Sequence, residues 1–182
     1  VLYRATAGNP FFVTEVLASP GEFVPVTVRD AVAARVARCS VPAQQALRAA
    51  AVLGVQCEAQ LLLAVADQDG GAIEECARRG ILVRQGTQIA FRHELARRAL
   101  LDAIEPTQRV ALHRRALAAL WEASGADPAR LAHHALEAGD TPAILNLVPV
   151  AGRRAAALGA HREAAAHFAG AVRHADALED RA

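Results

Sequence analysis

Gly80-Ile81-Leu82-Val83-Arg84-Gln85-Gly86-Thr87-Gln88-Ile89-Ala90-Phe91-Arg92-His93-Glu94-Leu95 decides the fold. Two short β-rich runs, Ile81-Leu82-Val83 and Ile89-Ala90-Phe91, flank a turn at Gln85-Gly86-Thr87, which predicts a hairpin. Arg92-His93-Glu94 then opens a helix through Leu95, Ala99, Leu100 and Ile104, which Pro106 stops. Upstream, Thr27 caps a helix whose apolar residues Val28, Val32, Val36 and Cys39 recur at three and four. Ser40 with Pro42 starts a second helix that ends at Gly54, and Leu61, Leu62 and Val65 mark a short third. After Asp69-Gly70-Gly71 a fourth carries Ile73, Cys76 and Ala77 and closes at Gly80. Helices, then a hairpin, then a closing helix is the order of a winged-helix-like unit, over residues 26–106.

Downstream, residues 107–182 read as TPR-like antiparallel helical hairpins, with helices over 109–123, 128–138, 143–158 and 162–178. Breaks fall at Gly125, Gly139-Asp140 and Gly159. The last pair has a tetratricopeptide spacing, with Gly159 at the turn and Ala164, Phe168 and Ala171 at small, aromatic and small positions. At the other end, Asn9 caps a helix with Pro10 in its first turn and Phe12, Val13, Val16 and Leu17 on one face. That helix stops near Ser19-Pro20-Gly21, and Glu22 to Val26 is an extended linker.

Composition supports a mainly α fold. Hydrophobic residues are 53% and aromatics 4%, so the apolar fraction is carried by Ala, Leu and Val. The 20 positive side chains are all Arg, and a net charge of +1 supplies no basic field for nucleic acid or an anionic membrane. No leader and no apolar run near the roughly 20 residues of a membrane span is visible, which predicts a cytoplasmic protein with no membrane partner. With no Met, and an opening at Val1-Leu2-Tyr3-Arg4 that reads like a helix end, the chain is expected to be a fragment.

Enzyme chemistry finds little foothold. A phosphate-gripping G-x-x-x-x-G-K-[ST] loop needs a Lys ammonium, and the chain has no Lys, so the fragment is expected not to be an enzyme. Ser19, Ser40 and Ser124 all lie at helix boundaries, where capping accounts for their hydroxyls. Cys39, Cys57 and Cys76 lack C-x-x-C spacing and read as small buried thiols. His133 and His134 are adjacent, so on a helix they leave it about 100° apart, and no metal site is expected of the pair.

Tyr3-Arg4-Ala5-Thr6-Ala7-Gly8-Asn9-Pro10-Phe11-Phe12-Val13-Thr14-Glu15 resembles the GNPFF segment that closes the ATPase lid of the large LuxR-type regulators, members of the STAND class of signalling ATPases. Phe91-Arg92-His93-Glu94-Leu95, Leu112-His113 and Leu131-Ala132-His133-His134 follow in the family's order. The resemblance implies a lid segment over 1–25, a winged-helix arm over 26–106 and the start of a helical-repeat sensor over 107–182. It further implies that Gly8, Asn9, Pro10, Arg92 and His93 are the nucleotide-contact candidates, with Pro10 packing on the adenine and His93 contacting the β-phosphate of bound ADP. The nucleotide, ATP or ADP, would be held by an upstream ATPase core in cis, and none is expected on the fragment alone. A protein or small-molecule inducer would bind the repeats, and DNA would be met only through a separate domain of the parent regulator. The rival expectations are a plain helical-repeat scaffold, or a module of a cyclase- or kinase-fused signalling protein.

Overall fold

The computed structural model describes residues 28–123 and 125–179. Thr27, the helix expected from Asn9, and the linker at 22–26 lie outside the described residues. The chain divides into two compact units, one ending at Ile104 and the other opening at Glu105.

The first unit begins with α1 (Val28–Ala37) and α2 (Val41–Leu53). Ser40 caps α2: its hydroxyl accepts from the Ala43 N–H at 3.3 Å, and Pro42 occupies the first turn, where its missing N–H is no loss. Gly54, at φ +116°, ends the helix in a conformation closed to most side chains. A three-residue strand follows, β1 (Gln56–Glu58), then α3 (Ala59–Ala66) and α4 (Gly70–Arg78). Asp69 caps α4 through the Gly71 N–H at 2.9 Å. β2 (Leu82–Gln85) and β3 (Gln88–Phe91) form the expected hairpin, and α5 (Glu94–Ala103) closes the unit.

The sheet holds one strand more than the two expected. Its order is β1-β3-β2, antiparallel throughout, with Cys57 opposite Ile89 and Leu82 opposite Phe91. β3 is therefore central, and Ile89, Ala90 and Phe91 are all buried. The core around them is made by Leu47 of α2, Leu62 and Val65 of α3, Ile73 and Cys76 of α4, and Leu82 of β2. Burying each such Leu or Ile side chain contributes about 1.5–3 kcal/mol before chain entropy is set against it.

The second unit is a run of four antiparallel helices: α6 (Pro106–Glu122), α7 (Pro128–Ala138), α8 (Thr141–Ala157) and α9 (His161–Glu179). α6 begins at Pro106 and not at residue 109, because the proline that ends one helix is pre-set for the first turn of the next. Asp127 and Asp140 cap α7 and α8 through the N–H groups of Ala129 and Ala143. Gly139 and Gly159 sit at positive φ between helices. Pro149 lies within α8 without ending it. Small residues let these helices approach: Ala132 and Ala135 of α7 and Ala151 of α8 are buried with Leu117, Ile144, Leu147 and Val148.

The described residues are mainly helical with one small antiparallel sheet. No helix among the described residues is long and apolar enough to cross a membrane.

Candidate functional site

Gly8, Asn9 and Pro10 lie outside the described residues, so the candidate site is built from Arg92 and His93. His93 is the residue that enters α5. Its backbone is extended (φ −136°, ψ 124°), its carbonyl accepts from the Ala96 N–H at 3.0 Å, and its ring makes no cap bond to the helix it precedes. The ring thus stands beside the positive end of α5 without satisfying the first-turn N–H groups.

Arg92 and Arg35 converge on the same place from β3 and α1. The Arg92 Nε–H donates to the Gly80 carbonyl at 3.1 Å, and Arg35 Nη2 donates to the Arg79 carbonyl at 2.7 Å. Both guanidinium groups therefore close the negative end of α4, where unsatisfied carbonyls favour cations. Gly80, at φ +66°, keeps the space open; a Cβ there would stand 3.3 Å from Arg35 Nη2. Val32, Arg35, Val36, Gly80, Ile81, His93 and Ala96 line a recess beside the ring, mostly apolar and no roomier than a water molecule. A phosphate group cannot enter it and would have to meet His93 and the arginines from outside.

Electrostatics at this corner are strained by like charge. Burial lowers the proton affinity of His93, and the charges of Arg92 and Arg35 lower it further. Arg35 is pushed down by burial and by its neighbours Arg38 and Arg92. An arriving anion would relieve that repulsion. Glu94, the next residue, does not cancel it, because its carboxylate is engaged by Arg97 at 2.7 and 2.8 Å and by Arg98 at 3.1 Å. Arg97 also donates to the Ala51 carbonyl at 3.1 Å and so ties α5 to α2.

The thiols offer no nucleophile. Cys39, Cys57 and Cys76 are buried and form no disulfide, and burial pushes Cys76 up to about 12 and raises Cys39. In α4, the helix before the wing, Glu75 is occupied in structure: it accepts from the Ser40 N–H and hydroxyl and from Arg79 Nε, the last at 2.9 Å. Those bonds hold its carboxyl down at about 2. A carboxylate fixed on this helix opposes contact with nucleic-acid phosphates.

A second constellation is one that sequence reasoning did not assemble. His113 of α6 stands against His133 and His134 of α7, and the three rings lie 5.1–5.5 Å apart, centroid to centroid. His113 and His134 are buried and share a hydrogen bond between their Nδ1 atoms at 2.9 Å, while His133 is exposed. Burial lowers His113 to about 4, against the pull of Glu137, and lowers His134 to about 3, so both rings are neutral near pH 7. Adjacency alone sends the rings of His133 and His134 to different sides of α7. The signal that could have found the cluster is a third histidine on the neighbouring helix.

No protein family, curated protein or solved structure matches the chain.

Proposed function

We propose that the chain is a regulatory segment of a STAND-type signalling ATPase of the LuxR class, in which the first unit senses a phosphate of nucleotide held by an ATPase core. The observation that carries this reading is the convergence of Arg35, Arg92 and His93 at the N-terminus of α5. Those groups provide donors and positive potential for a diphosphate arriving from outside.

Magnitudes say that His93 would not act alone. Moving a switch from mostly closed to mostly open takes about 5.5 kcal/mol of state preference. One charge-assisted hydrogen bond supplies about 1.5–3 kcal/mol of that. The arginines, or contacts made by Pro10, would have to supply the remainder. With ADP bound, the arm stays against the core; exchange for ATP, together with an inducer on the helical repeats, releases it.

The test is made in the parent polypeptide. The reading requires a phosphate-gripping lysine loop encoded ahead of Val1, and fails without one. Given that loop, His93→Ala should weaken ADP retention roughly tenfold, by the loss of about 1.4 kcal/mol, and raise basal output. Unchanged ADP retention and unchanged output would overturn the role of His93.

A second reading, a helical-repeat scaffold, is favoured by the exposed apolar side chains Trp121, Leu158, Phe168 and Val172 on the second unit. In that case His93→Ala changes no partner affinity, while Phe168→Ala and Val172→Ala do.

A further inference from the structure

From the placement of three imidazoles on two facing helices, we propose that His113, His133 and His134 form a site for a transition-metal cation, Zn2+ foremost, that clasps α6 to α7. One ligand atom from each residue lies within 4.8 Å of the other two. Two ligand nitrogens on a tetrahedral zinc stand about 3.3 Å apart, given Zn–N bonds of about 2.0–2.1 Å. His113 Nδ1 and His134 Nδ1, at 2.9 Å, need to part by only about 0.4 Å. The widest separation closes by about 1.5 Å at most. His133 can make that adjustment, because it is exposed and turns about its side-chain torsions without disturbing the core.

The donor set selects the cation. Three imidazoles and no carboxylate suit Zn2+, and also Cu2+, Ni2+ and Co2+, and do not suit Mg2+ or Ca2+, which take oxygen ligands. Two ligands are buried and the third faces solvent, so the site has rigid walls, an entry side and a position left for water. The surrounding charges are mixed: Glu137 draws positive charge toward His113, while Arg109 and Arg130 oppose it at His113 and His134. The chemistry balances without an added base. The ring that donates its Nδ1 proton to the other moves that proton to Nε2, and both Nδ1 lone pairs then face the metal.

The experiment uses the whole chain after chelator treatment, titrated with Zn2+ against a chromophoric chelator at pH 7.5, with Co2+ as a visible-band probe. The expected result is one equivalent bound, a raised thermal midpoint, and a Co2+ band of low-coordinate shape. His133→Ala, on the exposed ligand, should keep the fold and lose affinity roughly tenfold or more. His167→Ala on α9, whose imidazole lies 3.9 Å from Glu163, should bind as the parent does. Variants of the buried pair, His113→Gln and His134→Gln, are read by Co2+ band shape only where circular dichroism shows them folded. If Zn2+ uptake is absent, is the same in His133→Ala, or is lost in His167→Ala, the three histidines are a self-satisfied hydrogen-bonded cluster and the proposal is overturned.

Discussion

A Cβ built on Gly152 of α8 would stand 2.9 Å from Cε1 and Cζ of Phe168 on α9, so the glycine is the socket for the aromatic ring. Alanine at this position would gain about 1 kcal/mol of helix propensity. The contact it creates outweighs that gain, because a separation under 3.0 Å forces the Phe168 ring and α8 apart. Gly152→Ala should therefore lower stability by about 1–3 kcal/mol in urea unfolding. Adding Phe168→Leu should recover part of the loss, and additive losses would show that the two residues do not share this space.

Ser40 and Glu75 join α2 to α4 through two bonds, N–H to Oε1 at 3.0 Å and hydroxyl to Oε2. Ser40→Ala removes a helix cap and should cost about 1 kcal/mol. Glu75 is held at about 2 by those bonds and by Arg79, below the ordinary 4.5. A depressed carboxylate contributes its stabilisation fully above the unfolded value and loses it as pH falls through the folded one. The difference in thermal midpoint between parent and Glu75→Gln should thus be constant above about pH 5 and shrink between about pH 4.5 and 2. A difference that grows on acidification would refute the assignment.

Burial, and then the guanidiniums of Arg92 and Arg35, disfavour the charged form of the His93 ring. Removing one of those charges, in Arg92→Gln, should raise the midpoint of the His93 ring titration followed by NMR. Adding pyrophosphate should raise it in the parent chain as well, since an anion favours imidazolium. A ring whose titration ignores both changes is not coupled to an anion site.

Ile144 is wholly buried in α8, and Leu158 at its end is 77% exposed. Ile144→Ala should cost about 2–5 kcal/mol, and Leu158→Ala no more than about 0.5 kcal/mol. Equal effects in denaturant titrations would mean that the helical repeats are packed differently.

Local chemistry made much of the architecture legible. Ser40 announces a helix start because a short polar side chain can answer an unpaired N–H, and the structure uses it in that way; Asp69, Asp127 and Asp140 cap their helices by the same chemistry. The hairpin was visible for a similar reason, in the Gly86 turn between two β-rich runs. β1 was not, because Gln56-Cys57-Glu58 has no strand character of its own and becomes a strand only by pairing with Ile89, far along the chain. Pro106 and Pro149 show the limit of reading proline as a stop: one begins a helix and the other is carried inside one. Of the candidate site, Arg92 and His93 enter through the resemblance carried by Phe91 to Leu95, and nothing in their own spacing singles them out. Arg35 was not singled out, since its approach from α1 is a tertiary fact, and the meeting of His113 with His133 and His134 likewise depends on how α6 lies against α7.

Every cysteine of the chain belongs to the unit that ends at Ile104, and each one is buried; the other unit has none, yet carries the sole tryptophan, Trp121. Alkylating reagents can reach those sulfurs only when that half opens, so the rate of modification, read by mass spectrometry, is a clock for its excursions alone. Indole emission follows the other half at the same time. The two readouts need no engineered label.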